Sequence, residues 1–220
     1  MAIHSFKPDH YYASLGTYPP VLRIADGDSV LTSTVDASGR DLEGNHLASG
    51  PNPQTGPFYI EGAEPGDTLR VSLDKLWPNR PSGFSSTSIS PNVVDPSYVS
   101  ELPTPRGRAE WELDLEAGTA TLAAPVTKLG RLTLPMQPML GCFGVAPPLN
   151  QAISAATSST HGGNMDYKRF VQGVTVYFPV FVEGALFFVG DGHAIQGDGE
   201  IAGTGIETSF SVQFTVHILK

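Results

Sequence analysis

The segment FSVQFTVHI, residues 210–218, decides the fold class of this 220-residue chain. Every second residue from Phe210 to Ile218 is apolar, and the residues between them are polar. A period of two is typical of a β-strand that buries one of its faces. The segments TLRVSLD (68–74) and WELDL (111–115) alternate in the same way. These patterns predict a mainly β protein.

The composition agrees with many short strands joined by tight turns. The chain carries 24 glycines and 19 prolines, about a fifth of its length against a usual sum of about 12%. Both residue types interrupt helices, which disfavours a helical bundle. The sequence predicts short helices only at Pro96–Leu102 and Leu149–Ala156, and two buried strands within Val174–Gly190. Further strand candidates are Val21–Ile24, Ser29–Val35, Thr119–Ala124 and Arg131–Leu134.

The charge and the single cysteine limit the partners and the compartment of the chain. A net charge of −9 and a pI near 5.0 argue against nucleic acid or an anionic membrane as a partner. A single cysteine, Cys142, rules out an internal disulfide or a multi-cysteine metal site. The first ten residues show no secretory signal, and Pro179 and Glu183 interrupt the longest apolar run. We therefore expect a cytoplasmic protein without a membrane span.

Side chains that can bind metals are concentrated between residues 160 and 207. They lie in three glycine-rich pieces, HGGNMD (161–166), GDGHAIQGDGE (190–200) and GTGIE (203–207). Glycine lets a backbone turn sharply and approach a ligand closely. A strand candidate, Ala185–Val189, leads directly into the second piece, and loops at strand ends often carry functional side chains. The candidates are His161, Asn164, Asp166, Asp191, His193, Asp198, Glu200 and Glu207.

Asp191 and His193 form the most specific pair in this group. In an extended segment, residues i and i+2 point to the same side, so both side chains could reach one ion. A mixed set of imidazole and carboxylate ligands suits Zn²⁺ or a related ion. The alternative is structural, in which Asp191 caps a turn and His193 hydrogen-bonds to it. The same two interpretations, ligand set or stabilised turn, stay open for residues 161–166 and for Asp198-Gly-Glu200.

Other catalytic schemes lack their sequence signatures. Cys142 has apolar neighbours in Gly-Cys-Phe-Gly and is typical of a small buried residue rather than a thiolate nucleophile. The chain contains no G-x-S-x-G nucleophile elbow. It contains no Walker-type phosphate loop, and its glycines do not match a dinucleotide fingerprint between a strand and a helix.

Four segments closely resemble one enzyme family. They are GPFYIEGAEPGD (56–67), GCFGVAP (141–147), HGGNMD (161–166) and PVFVEGALFFVGDGHAIQGDGEIAGTGIE (179–207). In this order they resemble the acetamidase/formamidase family, from about Pro20 to the last strand. The resemblance implies a β-sandwich or barrel-like architecture, and hydrolysis of short linear amides of the formamide or acetamide type to a carboxylate and ammonia. It also implies a divalent metal ion, zinc or calcium, near the acidic and histidine loops.

The resemblance also bears on the extent and assembly of the protein. Family members typically continue past the strand that ends here at Lys220. The resemblance therefore implies a single acetamidase/formamidase-like domain over residues 1–220 that lacks the family's C-terminal portion. We also expect a homo-oligomer, a dimer, with a small amide as its substrate.

The resemblance extends to seven functional candidates: Asp36, Glu61, His161, Asp166, Asp191, His193 and Glu200. We hypothesise a role for each of them and for Asn164. Asp36, Asp166, Asp191 and His193 are the predicted metal ligands. Glu61 is the predicted general base for water, and Glu200 is a further catalytic carboxylate. His161 or Asn164 would stabilise the oxyanion together with backbone N–H groups of the Gly-Gly turn. Asp36 and Glu61 each lie at the end of a strand candidate and could instead be surface charges.

Two other functions stay open. A non-catalytic β-rich domain could bind Ca²⁺ structurally through Asp198, Glu200, Glu207 and backbone carbonyls. A regulatory or partner-dependent subunit would be inactive alone and would leave an apolar patch near the C-terminal strand.

Overall fold

The computed structural model describes every residue from Met1 to Lys220. The strands are β1 (Ile3–Ser5), β2 (Ser14–Leu15), β3 (Leu22–Ile24), β4 (Ser29–Ser33), β5 (Gln54–Ile60), β6 (Thr68–Pro78), β7 (Ser82–Ser86), β8 (Arg108–Asp114), β9 (Thr119–Ala124), β10 (Thr133–Pro135), β11 (Met139–Gly144), β12 (Ile153–Ser154), β13 (Ser158–Ser159), β14 (Gly162–Asn164), β15 (Thr175–Pro179), β16 (Phe187–His193), β17 (Glu207–Thr208) and β18 (Phe210–Leu219). Three short 3₁₀ helices are η1 (Pro91–Val93), η2 (Pro96–Glu101) and η3 (Asp198–Glu200). The mainly β class with few short helices is confirmed. None of the helices has the length and apolar composition needed to cross a bilayer.

The strands form two main sheets. The smaller sheet has five strands in the order β1-β4-β18-β6-β15. The larger sheet runs β10-β9-β8-β7-β17-β16-β11-β14-β13, and β5 joins it by pairing with β16 and β3. Strands β2 and β12 form a separate pair. The main core consists of 21 buried residues drawn from both sheets, so the two sheets pack face to face as in a sandwich.

Strand β18 lies at the centre of the smaller sheet, between β4 and β6. Its apolar residues from Phe210 to Val216 are fully buried, and the polar residues between them are partly or wholly exposed. This burial confirms the alternation that the sequence predicts. All ten residues of β18 pair with β6, which is itself a long strand with alternating burial.

Three phenylalanines join the two sheets. Phe214 of β18 lies 4.9 Å from Phe187 of β16 and 5.2 Å from Phe58 of β5, measured between ring centroids. All three side chains are fully buried. Aromatic rings at these distances and in edge-to-face geometry contribute more than their buried area alone. The contact fixes β16, the strand that carries the candidate site, against the smaller sheet.

The segment Val174–Gly190 contains two strands, but they belong to different sheets. Strand β15 is an edge strand of the smaller sheet, and β16 is central in the larger one. Because β15 is mostly exposed, the expectation of two buried strands is wrong for the first of them. The chain turns between them at Glu183-Gly184, as predicted, and Gly184 adopts a left-handed φ of 75°.

One of the two predicted helices is confirmed. Helix η2 begins after Asp95, whose carboxylate accepts a hydrogen bond of 2.8 Å from the Ser97 N–H and so satisfies a helix-end donor. The predicted helix at Leu149–Ala156 is wrong, because Leu149 and Asn150 have φ values of 61° and 54°. Left-handed backbone cannot continue into a right-handed helix, and this segment instead contributes β12.

We expect Phe214→Ala to lower the free energy of unfolding by about 3–5 kcal/mol, because it leaves a cavity between the sheets. Urea denaturation at fixed pH measures the change. Tyr177→Ala, at an exposed position on β15, is the control and should alter stability by no more than about 0.5 kcal/mol. Similar losses of unfolding free energy in the two variants would contradict the inference that Phe214 holds the two sheets together.

Candidate functional site

Strand β16 carries the centre of the candidate site. All seven of its residues are buried, because β11 pairs with one side and β5 and β17 pair with the other. Asp191 and His193 lie two residues apart on it, and Asp191 Oδ1 is 3.4 Å from His193 Nε2. Asp191 has a left-handed φ of 58°, a strained conformation that is often found at functional sites. The structure brings the two side chains together, as their spacing predicts.

Glu207 and Asp166 add carboxylates from two other segments. Glu207 lies on β17 opposite His193, and its Oε1 is 3.1 Å from His193 Nε2. The same oxygen accepts a hydrogen bond of 2.8 Å from the Gly205 N–H. Asp166 follows β14, and its backbone N–H donates to the carbonyl oxygen of Gly141 at 3.1 Å. That bond holds Asp166 beside β11, next to β16.

Five side chains form what we call the ligand cluster: Asp166, Asp191, His193, Glu200 and Glu207. It contains two overlapping groups, each with its ligand atoms within 4.8 Å of one another. One group unites Asp166 and Asp191 with His193, and the other unites Glu200 and Glu207 with the same histidine. Glu200 comes from η3, at the end of a glycine-rich turn.

Four atoms of the ligand cluster are buried without any hydrogen-bond partner. They are Asp166 Oδ1, Asp191 Oδ1, His193 Nε2 and Glu207 Oε2. The contacts of His193 Nε2 at 3.1 and 3.4 Å are ion-pair contacts that do not have hydrogen-bond geometry. A buried polar atom without a partner costs free energy, and carboxylate and imidazole lone pairs are the donors that a divalent ion binds. The residues present therefore fit the divalent ion that the sequence leads us to expect.

Gly141 of β11 leaves room in front of these atoms. A Cβ atom at this position would lie 2.5 Å from both Asp166 Oδ1 and Asp191 Oδ2 and 3.0 Å from His193 Cε1. These distances are too short for a carbon atom in contact with oxygen or carbon, so a side chain at position 141 would displace the ligand side chains. The lack of a side chain at Gly141 therefore lets Asp166, Asp191 and His193 approach one another beside β11.

The crowding of carboxylates changes their acidity. Burial and the charge of Asp166 raise the pKa of Glu200 to about 8. Burial, with a contribution from Asp191, raises the pKa of Glu207 to about 7 and that of Asp166 to about 6. Burial lowers the pKa of His193, but Glu207 and Asp191 outweigh it and leave that pKa well above its usual value. Without a cation, the ligand cluster therefore retains protons near neutral pH.

Asn164 bonds to a member of the ligand cluster, whereas the side chain of His161 makes no hydrogen bond. Asn164 Nδ2 donates to Asp166 Oδ2 at 2.5 Å, and its Oδ1 accepts a bond of 2.7 Å from Asn52 Nδ2. It therefore orients a ligand. His161 is fully buried, and neither of its ring nitrogens has a partner. Burial lowers the pKa of His161, which favours a neutral ring able to donate one hydrogen bond.

Asp36 lies outside the ligand cluster, which corrects its expected position among the ligands. Its Oδ1 accepts hydrogen bonds from the N–H and the hydroxyl of Ser38, at 2.9 and 2.8 Å, and from the Arg40 N–H at 3.0 Å. Its Oδ2 accepts a bond of 2.6 Å from Arg80 Nη2, and both side chains of this ion pair are buried. Because its oxygens are already engaged, Asp36 stabilises the loop after β4.

Glu61 also lies outside the ligand cluster, which corrects its expected place beside the ion. It is exposed in the turn after β5, and the adjoining Gly62 lies against Ile218, near the end of β18. Phe210, at the start of β18, lies against Gly192 beside the ligand cluster. Eight residues of strand at about 3.3 Å each separate the two ends by roughly 26 Å. Glu61 is therefore too far away to act as a base there.

Sequence reasoning gave Glu207 a role only as a ligand of a structural Ca²⁺ ion, and gave Gln196 and Gly141 no role in the site. Glu207 belongs to the concentrated group of metal-binding side chains, but no sequence pattern shows that β17 would place it opposite His193. Gln196 carries no charge or motif that marks it. A glycine inside a strand does signal a close approach of other atoms, so Gly141 could have been recognised.

Comparison with solved structures identifies the relatives of the chain. A protein described as a predicted acetamidase/formamidase, from the thermophile Thermoanaerobacter tengcongensis, is 30% identical with a TM-score of 0.83. The match covers 100% of this chain and 70% of that one. The chain belongs to the acetamidase/formamidase family. The acetamidase of Bacillus halodurans, also 30% identical, has a TM-score of 0.78 and is matched over 98% of this chain and 70% of its own.

Sequence comparison agrees with this membership. The family model described as the Acetamidase/Formamidase family matches residues 149–220, the part of the chain that carries the whole ligand cluster. The acetamidase of Mycolicibacterium smegmatis is 29% identical over 242 residues, which cover 86% of this chain and 57% of that protein. The chain spans 55–62% of the length of the curated relatives it matches. The resemblance found in the sequence is confirmed.

We expect Asp36→Asn and Asp191→Asn to have opposite effects. Asp36→Asn should lower the free energy of unfolding by about 3–5 kcal/mol, because Arg80 stays buried without its counter-charge. It should keep any rise in melting temperature that Zn²⁺ produces. Asp191→Asn should remove that rise without unfolding the protein. Thermal unfolding with and without ZnCl₂ measures both effects. If Zn²⁺ raises the melting temperature of the wild type but not that of a folded Asp36→Asn variant, the structural role of Asp36 is contradicted.

We expect the metal-free protein to become less stable as the pH rises from about 5 to about 8. Glu200 and Glu207 have raised pKa values in the folded state, about 8 and about 7, so the folded chain binds more protons than the unfolded chain in this window. The free energy of unfolding therefore falls with pH. Urea denaturation in the presence of a chelator measures the trend. The variant Glu200→Gln should show a shallower trend, and an identical slope in the two proteins would argue against a raised pKa.

Proposed function

We propose that this chain hydrolyses a small linear amide, of the formamide or acetamide type, to a carboxylate and ammonia. The observation that carries the proposal is the set of four buried, unpartnered ligand atoms on segments of an acetamidase/formamidase family chain. Relatives named acetamidase and formamidase support the same reaction class. The reaction is proposed to take place at the ligand cluster.

The ligand cluster offers the donors that a divalent ion would need. Asp166, Asp191, His193 and Glu207 would hold it, and the imidazole among them favours zinc over calcium. When bound, such an ion would polarise the amide carbonyl and lower the pKa of water. Both effects matter, because resonance gives the amide C–N bond partial double-bond character and makes it resistant to attack.

Glu200 is suited to transfer the protons of the reaction. It is half-buried, and its carboxylate lies within 4.8 Å of the ligand atoms of His193 and Glu207. Without a cation, burial together with Asp166 raises its pKa to about 8, and a bound ion would lower that pKa. A carboxylate in this position can accept a proton from water and return it to the leaving nitrogen. Glu200 therefore takes over the role of general base that the sequence suggested for Glu61.

Two residues of the segment 161–166 have supporting roles in this proposal. Asn164 donates to Asp166 Oδ2 and so directs Asp166 Oδ1 into the ligand cluster. His161, whose buried ring nitrogens lack partners, is a candidate donor to the developing oxyanion. The substrate must be small, because Asp191, His193 and Glu207 are 1–2% exposed and only the half-buried Asp166 and Glu200 lie toward the outside.

A structural ion site is the second candidate function. The near-complete burial of Asp191, His193 and Glu207 favours it, since an ion needs less space than a substrate. In that case a divalent ion would raise the melting temperature, but the protein would release no ammonia. Ca²⁺ in place of Zn²⁺ would fit the carboxylates but not the imidazole.

We expect ammonia release from formamide or acetamide that is abolished by a chelator and restored by Zn²⁺. Asp191→Asn, His193→Ala and Glu200→Gln should each lower kcat/KM by at least about 100-fold, the size typical of losing a proton-transfer or electrostatic group. Glu61→Gln is the matched control and should keep wild-type activity. A folded, metal-loaded wild type that releases no ammonia would refute the amidase proposal, and an inactive Glu61→Gln would refute the assignment of the base.

A further inference from the structure

We infer that Gln196 is a positioning residue for the ligand cluster, because its amide selects which ring nitrogen of His193 faces the ion. The inference rests on the proposed function only in requiring that an ion binds there. Gln196 lies three residues after β16 and is 5% exposed. Its Oε1 is 2.8 Å from His193 Nδ1, and its Nε2 donates to the backbone carbonyl oxygen of Asp166 at 2.6 Å.

The second of these bonds determines the orientation of the amide. The carbonyl oxygen of Asp166 can only accept a hydrogen bond, so the atom of Gln196 that faces it must be the NH₂ nitrogen. The other amide atom, which faces His193, is therefore the oxygen. An amide oxygen can only accept, so His193 Nδ1 must carry the proton that forms the 2.8 Å bond.

The consequence for the other ring nitrogen is direct. With Nδ1 protonated, a neutral His193 presents the lone pair of Nε2, the atom that lies 3.1 Å from Glu207 and 3.4 Å from Asp191 and has no hydrogen-bond partner. An imidazole oriented by a second hydrogen bond is the usual arrangement in protein metal sites. Gln196 also joins the segment of Asp166 to that of His193, so one side chain positions two ligands.

Gln196 supplies the hydrogen bond that His193 Nδ1 makes. The ring is held from behind by Gly205, where a Cβ atom would lie 2.7 Å from Nδ1 and Cγ. If Gln196 could not accept the proton of Nδ1, that N–H would be buried without a partner, at a cost in free energy. The neutral ring would then be free to carry its proton on Nε2, where it would block the ion.

The test compares four proteins by Zn²⁺ titration calorimetry: wild type, Gln196→Met, Gln196→Glu and Gln172→Met. Gln196→Met keeps the volume and removes both hydrogen bonds, and we expect it to weaken Zn²⁺ binding about 10- to 100-fold. Gln196→Glu keeps an acceptor for Nδ1 and should recover part of that loss. Gln172→Met is the matched control, because Gln172 accepts its hydrogen bond from the Leu76 N–H, away from the ligand cluster, and should leave the affinity unchanged.

A second readout reports the ring directly. In ¹⁵N-labelled, zinc-loaded protein, we expect a slowly exchanging Nδ1–H resonance of His193 in the wild type and in Gln196→Glu, and its loss in Gln196→Met. A wild type that binds Zn²⁺ through Nδ1 would overturn the inference, and this result does not depend on whether Gln196→Met folds. A wild type that binds no Zn²⁺ would also overturn it. Unchanged Zn²⁺ affinity in folded Gln196→Met would also overturn it. Zinc binding that depends on Gln196 in a protein that releases no ammonia would support the inference and refute the amidase proposal.

Discussion

The energetic cost of burying like charges around one imidazole is the constraint on which the site depends. Four carboxylates surround His193, and two of them, Asp191 and Glu207, are almost completely removed from water. Such a group is stable only if its charge is neutralised by protons or by a cation. The raised pKa values of Glu200, Glu207 and Asp166 show the first solution. A divalent ion would be the second, and would release those protons on binding.

The sandwich supplies the rigidity that this constraint requires. Strand β16 has partners on both sides and is pressed against the smaller sheet by the phenylalanine contacts of Phe187. Neutral amides then engage the outer atoms of the ligands: Asn164 bonds to Asp166 Oδ2, and Asn52 bonds to Asn164. Only the inward atoms stay without partners. The arrangement separates the atoms that hold the ligands in place from the atoms that would hold the ion.

Periodicity and glycine content made the fold class and the pair at the centre of the site predictable. The alternation in β18 and the spacing of Asp191 and His193 are local patterns, and local patterns can be read from one sequence. The positions of Asp36 and Glu61 could not be read in this way. Asp36 has its counter-charge, Arg80, 44 residues further along the chain. Glu61 follows the end of β5 that lies away from the ligand cluster, and the sequence does not show how β5 aligns with β16. The helix expected at Leu149–Ala156 failed because left-handed residues carry no clear signal unless they are glycine.

Two glycines lie against the imidazole and a third precedes His193 on β16, and they restrict how this chain can diverge or be redesigned. Gly141 faces the ligand oxygens, Gly205 lies against the ring of His193, and Gly192 lies under the ring of Phe210. A methyl group at any of them would collide with a neighbouring side chain. A search for charged residues overlooks these positions, and a transplant of the ligand cluster alone into another β-scaffold would omit them. A homologous sequence that keeps all five side chains of the ligand cluster beside a bulkier residue at 141 would not keep this arrangement.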